Sequence, residues 1–163
     1  MKFTKTAMKT GIGAAAIAAA GVFGAATATA APPTVQSFGA SENLVDGPMV
    51  TSYTVSNLHP SNVTIPGYTP HGHLYQADIT ARSESGIITP VVADFNARTA
   101  GGQNYRVIDT VPVPNGLNAA PINQGDQRSG VLYFDVTGQA PESVVYNDGV
   151  QDVLVWTSNA QSS

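Results

Sequence analysis

Prolines stand at positions 32, 33, 48, 60, 66, 70, 90, 112, 114, 121 and 141, interrupting the chain from residue 32 onward. A proline inside a helix removes a hydrogen bond and collides with the preceding turn. No window beyond residue 31 carries the i, i+3, i+4, i+7 apolar spacing of an amphipathic helix, whereas period-two alternation recurs. Over residues 75–82, Tyr75, Ala77, Ile79 and Ala81 alternate with Gln76, Asp78, Thr80 and Arg82, the pattern of a half-buried antiparallel strand. Residues 49–55 repeat it more softly, with Met49, Thr51, Tyr53 and Val55 inward and Ser52 and Thr54 outward. Residues 131–136 are apolar on both faces, which predicts a central strand with Leu132, Phe134 and Val136 on one side. Residues 35–40 and 153–156 predict a first and a last strand, the last reached from residues 143–146 through the turn Asn147-Asp148-Gly149. Residues 91–99 and 104–111 read as partners across Ala100-Gly101-Gly102-Gln103, a glycine-bearing hairpin connection. Seven to eight short strands with Gly, Pro, Asn and Asp between them predict an all-β antiparallel sandwich or small barrel.

The first thirty residues belong to a different design. Lys2, Lys5 and Lys9 precede an uncharged, alanine-rich stretch over residues 11–26, and Ala28-Thr29-Ala30 offers small residues where a signal peptidase reads them. The apolar run falls short of the ~20 residues of a spanning helix. The expectation is a secretory signal peptide over residues 1–30, cleaved after Ala30, followed by one domain over residues 31–163 with a frayed tail at 157–163. A secreted, extracellular location follows. Beyond residue 30 the chain has no lysine and keeps Arg82, Arg98, Arg106 and Arg128 against eleven carboxylates, a formal net charge of −7. Such a surface repels nucleic-acid backbones and anionic membranes, so neither nucleic acid nor membrane insertion after cleavage is expected. There is no cysteine, so the fold is expected without a disulfide and must rest on its core.

Specific blocks within the expected domain resemble a known family. Phe95-Asn96-Ala97-Arg98-Thr99-Ala100-Gly101 leading into Asn104-Tyr105-Arg106-Val107, then Tyr133-Phe134-Asp135-Val136-Thr137-Gly138, then Leu154 and Trp156, are similar to the small secreted immunogenic proteins of mycobacteria. Ile65-Pro66-Gly67-Tyr68 fits the same family. The resemblance implies an immunoglobulin-like β-sandwich, export, recognition by host immunity as an antigen, and no established biochemical activity. It brings no catalytic motif and no cofactor.

Candidate chemistry is sparse. His71-Gly72-His73, with His59 upstream, would place two imidazoles on one face of a strand, a spacing suited to Zn²⁺ or Cu²⁺; the plainer reading is a solvated pair in a Pro/Gly-rich loop. Asp78, Asp94, Asp109 and Asp135 fall in strand-like segments, mostly at positions expected to face solvent, where two could meet as an acid–base pair but more simply keep the surface soluble. Residues 147–152 hint at calcium ligation yet lack the terminal Glu of an EF-hand and read as a tight turn. Arg98 and Arg106 flank the Gly101-Gly102 loop and could clamp a carboxylate, or pair with Asp94 or Asp109. Tyr53, Tyr75, Tyr105, Phe134 and Trp156 are expected to fill the space between the sheets, with Trp156 also weighed as a binding-surface residue. No nucleophile elbow, phosphate loop or dinucleotide fingerprint occurs. The reading is therefore a non-enzymatic exported domain that binds an extracellular protein or ligand, with no catalytic, cofactor or metal residue assigned. The alternative is a small metal protein or hydrolase built around His71, His73 and a carboxylate.

Overall fold

The computed structural model describes residues 30–160, so the signal segment expected at residues 1–30 (all but its last residue) and tail residues 161–163 lie outside the described residues. Its strands are β1 (Thr34–Ser37), β2 (Ser41–Asp46), β3 (Met49–Pro60), β4 (His73–Ser85), β5 (Phe95–Arg98), β6 (Asn104–Arg106), β7 (Gln127–Val136), β8 (Ser143–Asn147) and β9 (Asp152–Thr157). They form a five-stranded sheet in the order β1-β9-β8-β5-β6 and a four-stranded sheet in the order β2-β3-β4-β7. All neighbours are antiparallel except β1 and β9. The immunoglobulin-like sandwich is thus present, assembled from nine strands rather than seven or eight.

The alternation in β4 does what its period requires. Ala77, Ile79 and Ala81 are buried between the sheets, and β7 brings Leu132, Phe134 and Val136 to the same layer. Tyr53 and Val55 arrive from β3, Phe95 and Ala97 from β5, Tyr105 from β6, Val144 and Tyr146 from β8, and Leu154 and Trp156 from β9. Trp156 is completely buried and its indole N–H donates to the Ala40 carbonyl at 2.9 Å, so it is a core residue and not a binding surface. Tyr75 departs from expectation. It pairs with Pro60 and Phe134 near the end of the sandwich and is only half-buried at the margin of the core.

The partners expected at residues 91–99 and 104–111 shorten to Phe95–Arg98 and Asn104–Arg106, with a 3-10 turn at Val92–Asp94 before the first. Three further assignments change, and local structure accounts for them. The first strand expected at residues 35–40 ends at Ser37, because Gly39 at φ +94° turns the chain to the other sheet, where the unexpected β2 begins at Ser41. β3 continues past residue 55 to Pro60 through a register shift at Asn57, which takes φ +58°. β7, expected to be central, is an outer strand of its sheet. Its second apolar face, with Val131 and Tyr133, is covered by the connection from β6 and by Ile65, Leu74 and Ile108. Thr157 is not frayed: it ends β9 opposite Ser143 and Ser37.

Replacing Phe95 by Ala should cost ~3–5 kcal/mol, as for other buried aromatics. Tyr75→Ala should cost clearly less, because its ring lies at the core's margin. Urea titration of the two variants gives the comparison.

Candidate functional site

The connection from Arg106 to Gln127 runs through residues 107–126 without regular structure. Unstructured connections of this length are uncommon inside compact domains and are usually functional or disordered. Here it is pinned. The Ile108 N–H donates to the Tyr133 carbonyl at 2.8 Å, the Val131 N–H to Asn115 at 2.9 Å, and Ile88 and Ile122 exchange backbone bonds at 3.0 and 2.8 Å. Gly130 makes the close approach possible, since a Cβ there would stand 2.4 Å from the Leu117 nitrogen.

Between this connection, the segment entering β5 and the outer face of β7 lies a cleft of about 540 Å³. Val92, Val107, Val113, Leu117, Val131 and Tyr133 supply apolar wall, and Asp109 is its one ionisable carboxylate. Val91, 44% exposed, is a further lining residue. Burial, with a smaller contribution from Asp78, pushes the Tyr133 phenol up, so the ring offers a neutral hydroxyl. Sequence reading missed this cleft because its walls come from distant segments. The only local trace is Val111-Pro112-Val113-Pro114, apolar residues whose prolines forbid a central strand.

The histidines take no part in it. His73 opens β4 opposite Val136 and is exposed, whereas His71 lies in the preceding loop, so the two do not share a strand face. His59 directs Nδ1 at the Asn57 carbonyl, 2.6 Å away. Among the described residues no group of three or more His, Asp or Glu side chains is arranged to hold a metal.

Asp135 corrects the expectation of a solvent-facing carboxylate. Its side chain is 10% exposed and clamps the loop before β4. Oδ2 accepts from the Tyr68 hydroxyl and the His71 N–H, both at 2.8 Å, with His71 Nδ1 at 3.3 Å, and Oδ1 accepts from the Gly72 N–H at 2.8 Å. A Cβ on Gly72 would overlap the Val136 carbonyl, so only glycine lets the loop close onto the carboxylate. Upstream, Ile65-Pro66-Gly67-Tyr68 forms a turn closed by Tyr68 N–H to Ile65 O at 3.1 Å, with Gly67 at φ +81°. Burial pulls the Asp135 carboxyl upward, but the His71 and Gly72 N–H groups, Tyr68 and the His71 ring outweigh it and hold it below the ordinary range. The His–Asp contact is real, and it serves to fasten a loop.

The other carboxylates are dispersed. Asp78 accepts from Asn57 at 3.0 Å, and no two of Asp78, Asp94, Asp109 and Asp135 are register partners. Arg98 pairs neither with Asp94 nor with Asp109. Its guanidinium grips Asp152 through two bonds of 2.5 and 2.9 Å, lowering that carboxyl, while Asn147 donates to the same group at 2.8 Å. Arg106 approaches Asp109 at 3.9 Å, as expected. Residues 147–152 form the expected tight turn, with Asp148 accepting from the Val150 and Gln151 N–H groups at 2.9 Å.

Asp135→Ala strands a hydroxyl and two backbone N–H groups and should cost ~1–3 kcal/mol, whereas exposed His71→Ala should stay within about ±0.5 kcal/mol. Because Asp135 and Asp152 are lowered from 3.8, their stabilisation is complete above that value and lost as pH falls through the folded-state values. Urea midpoints measured from about pH 4 down to about pH 2 should fall in the native chain, and less steeply in Asp135→Ala.

Residues 33–156 match the family described as a domain of unknown function, DUF1942. Immunogenic protein MPB63 of Mycobacterium bovis is 41% identical over 158 residues, covering 96% of this chain and 99% of that protein. Immunogenic protein MPT63 of Mycobacterium tuberculosis shows the same identity and coverage. The 1.5 Å crystal structure of MPT63, a secreted protein, superposes with a TM-score of 0.76 at 40% identity, covering 78% of this chain and 99% of that one. The chain therefore belongs to the DUF1942 family, which includes these mycobacterial immunogenic proteins, and it shares the secreted, extracellular location of the group.

Proposed function

We propose that this chain is a non-enzymatic binding protein working outside the cell, and that its recognition site is the apolar cleft between the 107–126 connection and β7. The observation that carries the reading is the cleft itself. Its volume of about 540 Å³ falls within the ~300–1,000 Å³ of small-molecule sites, and its walls are aliphatic with few polar groups. A long connection fastened at both ends is a preformed wall, so little ordering opposes a ligand's entry. Asp109 on the wall and the excess of carboxylates disfavour an anionic headgroup, which points to an uncharged or cationic apolar ligand.

The neutral fluorophore N-phenyl-1-naphthylamine is a suitable probe. It should bind saturably at one site, and Val91→Asp, a change at an exposed lining position, should weaken it by about tenfold or more, consistent with desolvating a charge. Absence of saturable binding, or equal binding by Val91→Asp, would remove the cleft from consideration.

The export signal is included in the same proposal, with cleavage after Ala30 on the strength of the Ala28-Thr29-Ala30 pattern. N-terminal sequencing of the secreted protein should begin Ala31-Pro32-Pro33.

A further inference from the structure

Glu42 has both carboxylate oxygens buried without a hydrogen-bond partner, and the residue is 3% exposed. It lies on β2 opposite Tyr53, on the face turned between the sheets. The surrounding geometry gives this position leverage. β1 and β2 are outer strands of different sheets, and residues 34–46 form a strap that crosses from one to the other. The strap is fastened at its bend by Gly39 N–H to Val55 O at 2.8 Å, Ala40 N–H to Ser37 O at 3.1 Å, and the Trp156 indole to Ala40 O at 2.9 Å.

The groups around Glu42 do not compensate a charge. On β3, Tyr53 is the titratable side chain across from it, and behind Tyr53 stand Tyr146 of β8 and Asp94. β1 carries no ionisable side chain. β9 presents the Val155 N–H outside hydrogen-bonding geometry, and its Asp152 is already paired with Arg98. Asp46, at the end of β2, is exposed. None of these supplies a positive charge. An unpaired carboxylate between two sheets is far more costly than a neutral carboxyl. Burial accordingly pushes Glu42 from 4.5 up to about 7, the Val155 N–H offsetting only a fraction of the rise. Stabilisation from a group raised in this way is complete below 4.5 and is lost as pH rises through about 7.

We propose that Glu42 is a proton latch for the strap of residues 34–46: the neutral carboxyl keeps the strap seated, and loss of its proton to water loosens the strap and opens the Trp156 end of the core. Trp156 is the sole tryptophan of the chain, so its fluorescence reports on one place, next to the strap's bend. The test is acrylamide quenching of Trp156 from about pH 5 to about pH 9, with hydrogen exchange of residues 39–46 corrected for intrinsic rates. Quenching should rise and protection fall severalfold with a midpoint near pH 7, and Glu42→Gln should remove the pH dependence of both. Glu42→Leu gives a second carboxyl-free chain should the buried amide of Glu42→Gln prevent folding. Imidazoles as a class change charge in the same range, so a chain carrying His59→Asn, His71→Asn and His73→Asn must keep the transition. A flat profile in the native chain, a transition surviving in a carboxyl-free chain, or its loss in the histidine variant would each overturn the latch.

Discussion

Four rings hold the two sheets together. Tyr53 of β3 meets Phe95 of β5 edge-on at 5.2 Å and stacks on Tyr146 of β8 at 5.8 Å, and Phe95 in turn contacts Tyr146 at 5.2 Å and Trp156 of β9 at 6.3 Å. One ring comes from the four-stranded sheet and three from the five-stranded, so the cluster spans the interface that a disulfide pins in other sandwiches. Offset and edge-on arrangements suit the charge distribution of aromatic rings and add to the effect of their buried area. Other features hang from the cluster. Phe95 directly follows the 3-10 turn Val92–Asp94 that walls the cleft, and Trp156 anchors the bend of the strap. A chain with few charges and no cysteine has little else with which to fix two sheets in one orientation.

Much of this is legible in the sequence because a strand's burial follows a period of two. The alternation at Ala77, Ile79 and Ala81 locates the core face of β4, and the glycines between Thr99 and Asn104 locate the β5–β6 hairpin. The position of a strand within its sheet is less legible. Residues 131–136 read as central because both faces are apolar, yet a strand can be covered by a connection as well as by neighbouring strands. Tyr75 follows the alternation but sits where the sandwich ends, and periodicity carries no information about that.

The candidate site is legible only as chemistry, not as shape. His71 and a carboxylate do meet, as the residue types suggest, but Asp135 reaches back over sixty residues to fasten a loop, and its backbone donors are invisible in side-chain identities. The cleft needs three separated stretches to be brought together, and none of them is distinctive alone. Glu42 goes unmarked in the sequence for a related reason. In a stretch written Ser-Glu-Asn-Leu-Val-Asp, nothing shows which carboxylate turns inward until the register with Tyr53 is known.

The parallel pairing of β1 with β9 sets how the molecule bears load. Thr34 lies opposite Leu154 and Ser37 opposite Thr157, so the chain enters this pair at one end and leaves it at the other. A pull on the segments that precede β1 and follow β9 slides the two strands along each other and stretches all their cross-links at once. An antiparallel hairpin such as β8 and β9, tugged at its open end, would instead unzip bond by bond. β1 buries none of its four side chains. Its contribution is mechanical: a short ribbon held by main-chain bonds in shear, which makes the ends of the sandwich harder to tear than its small core contact suggests.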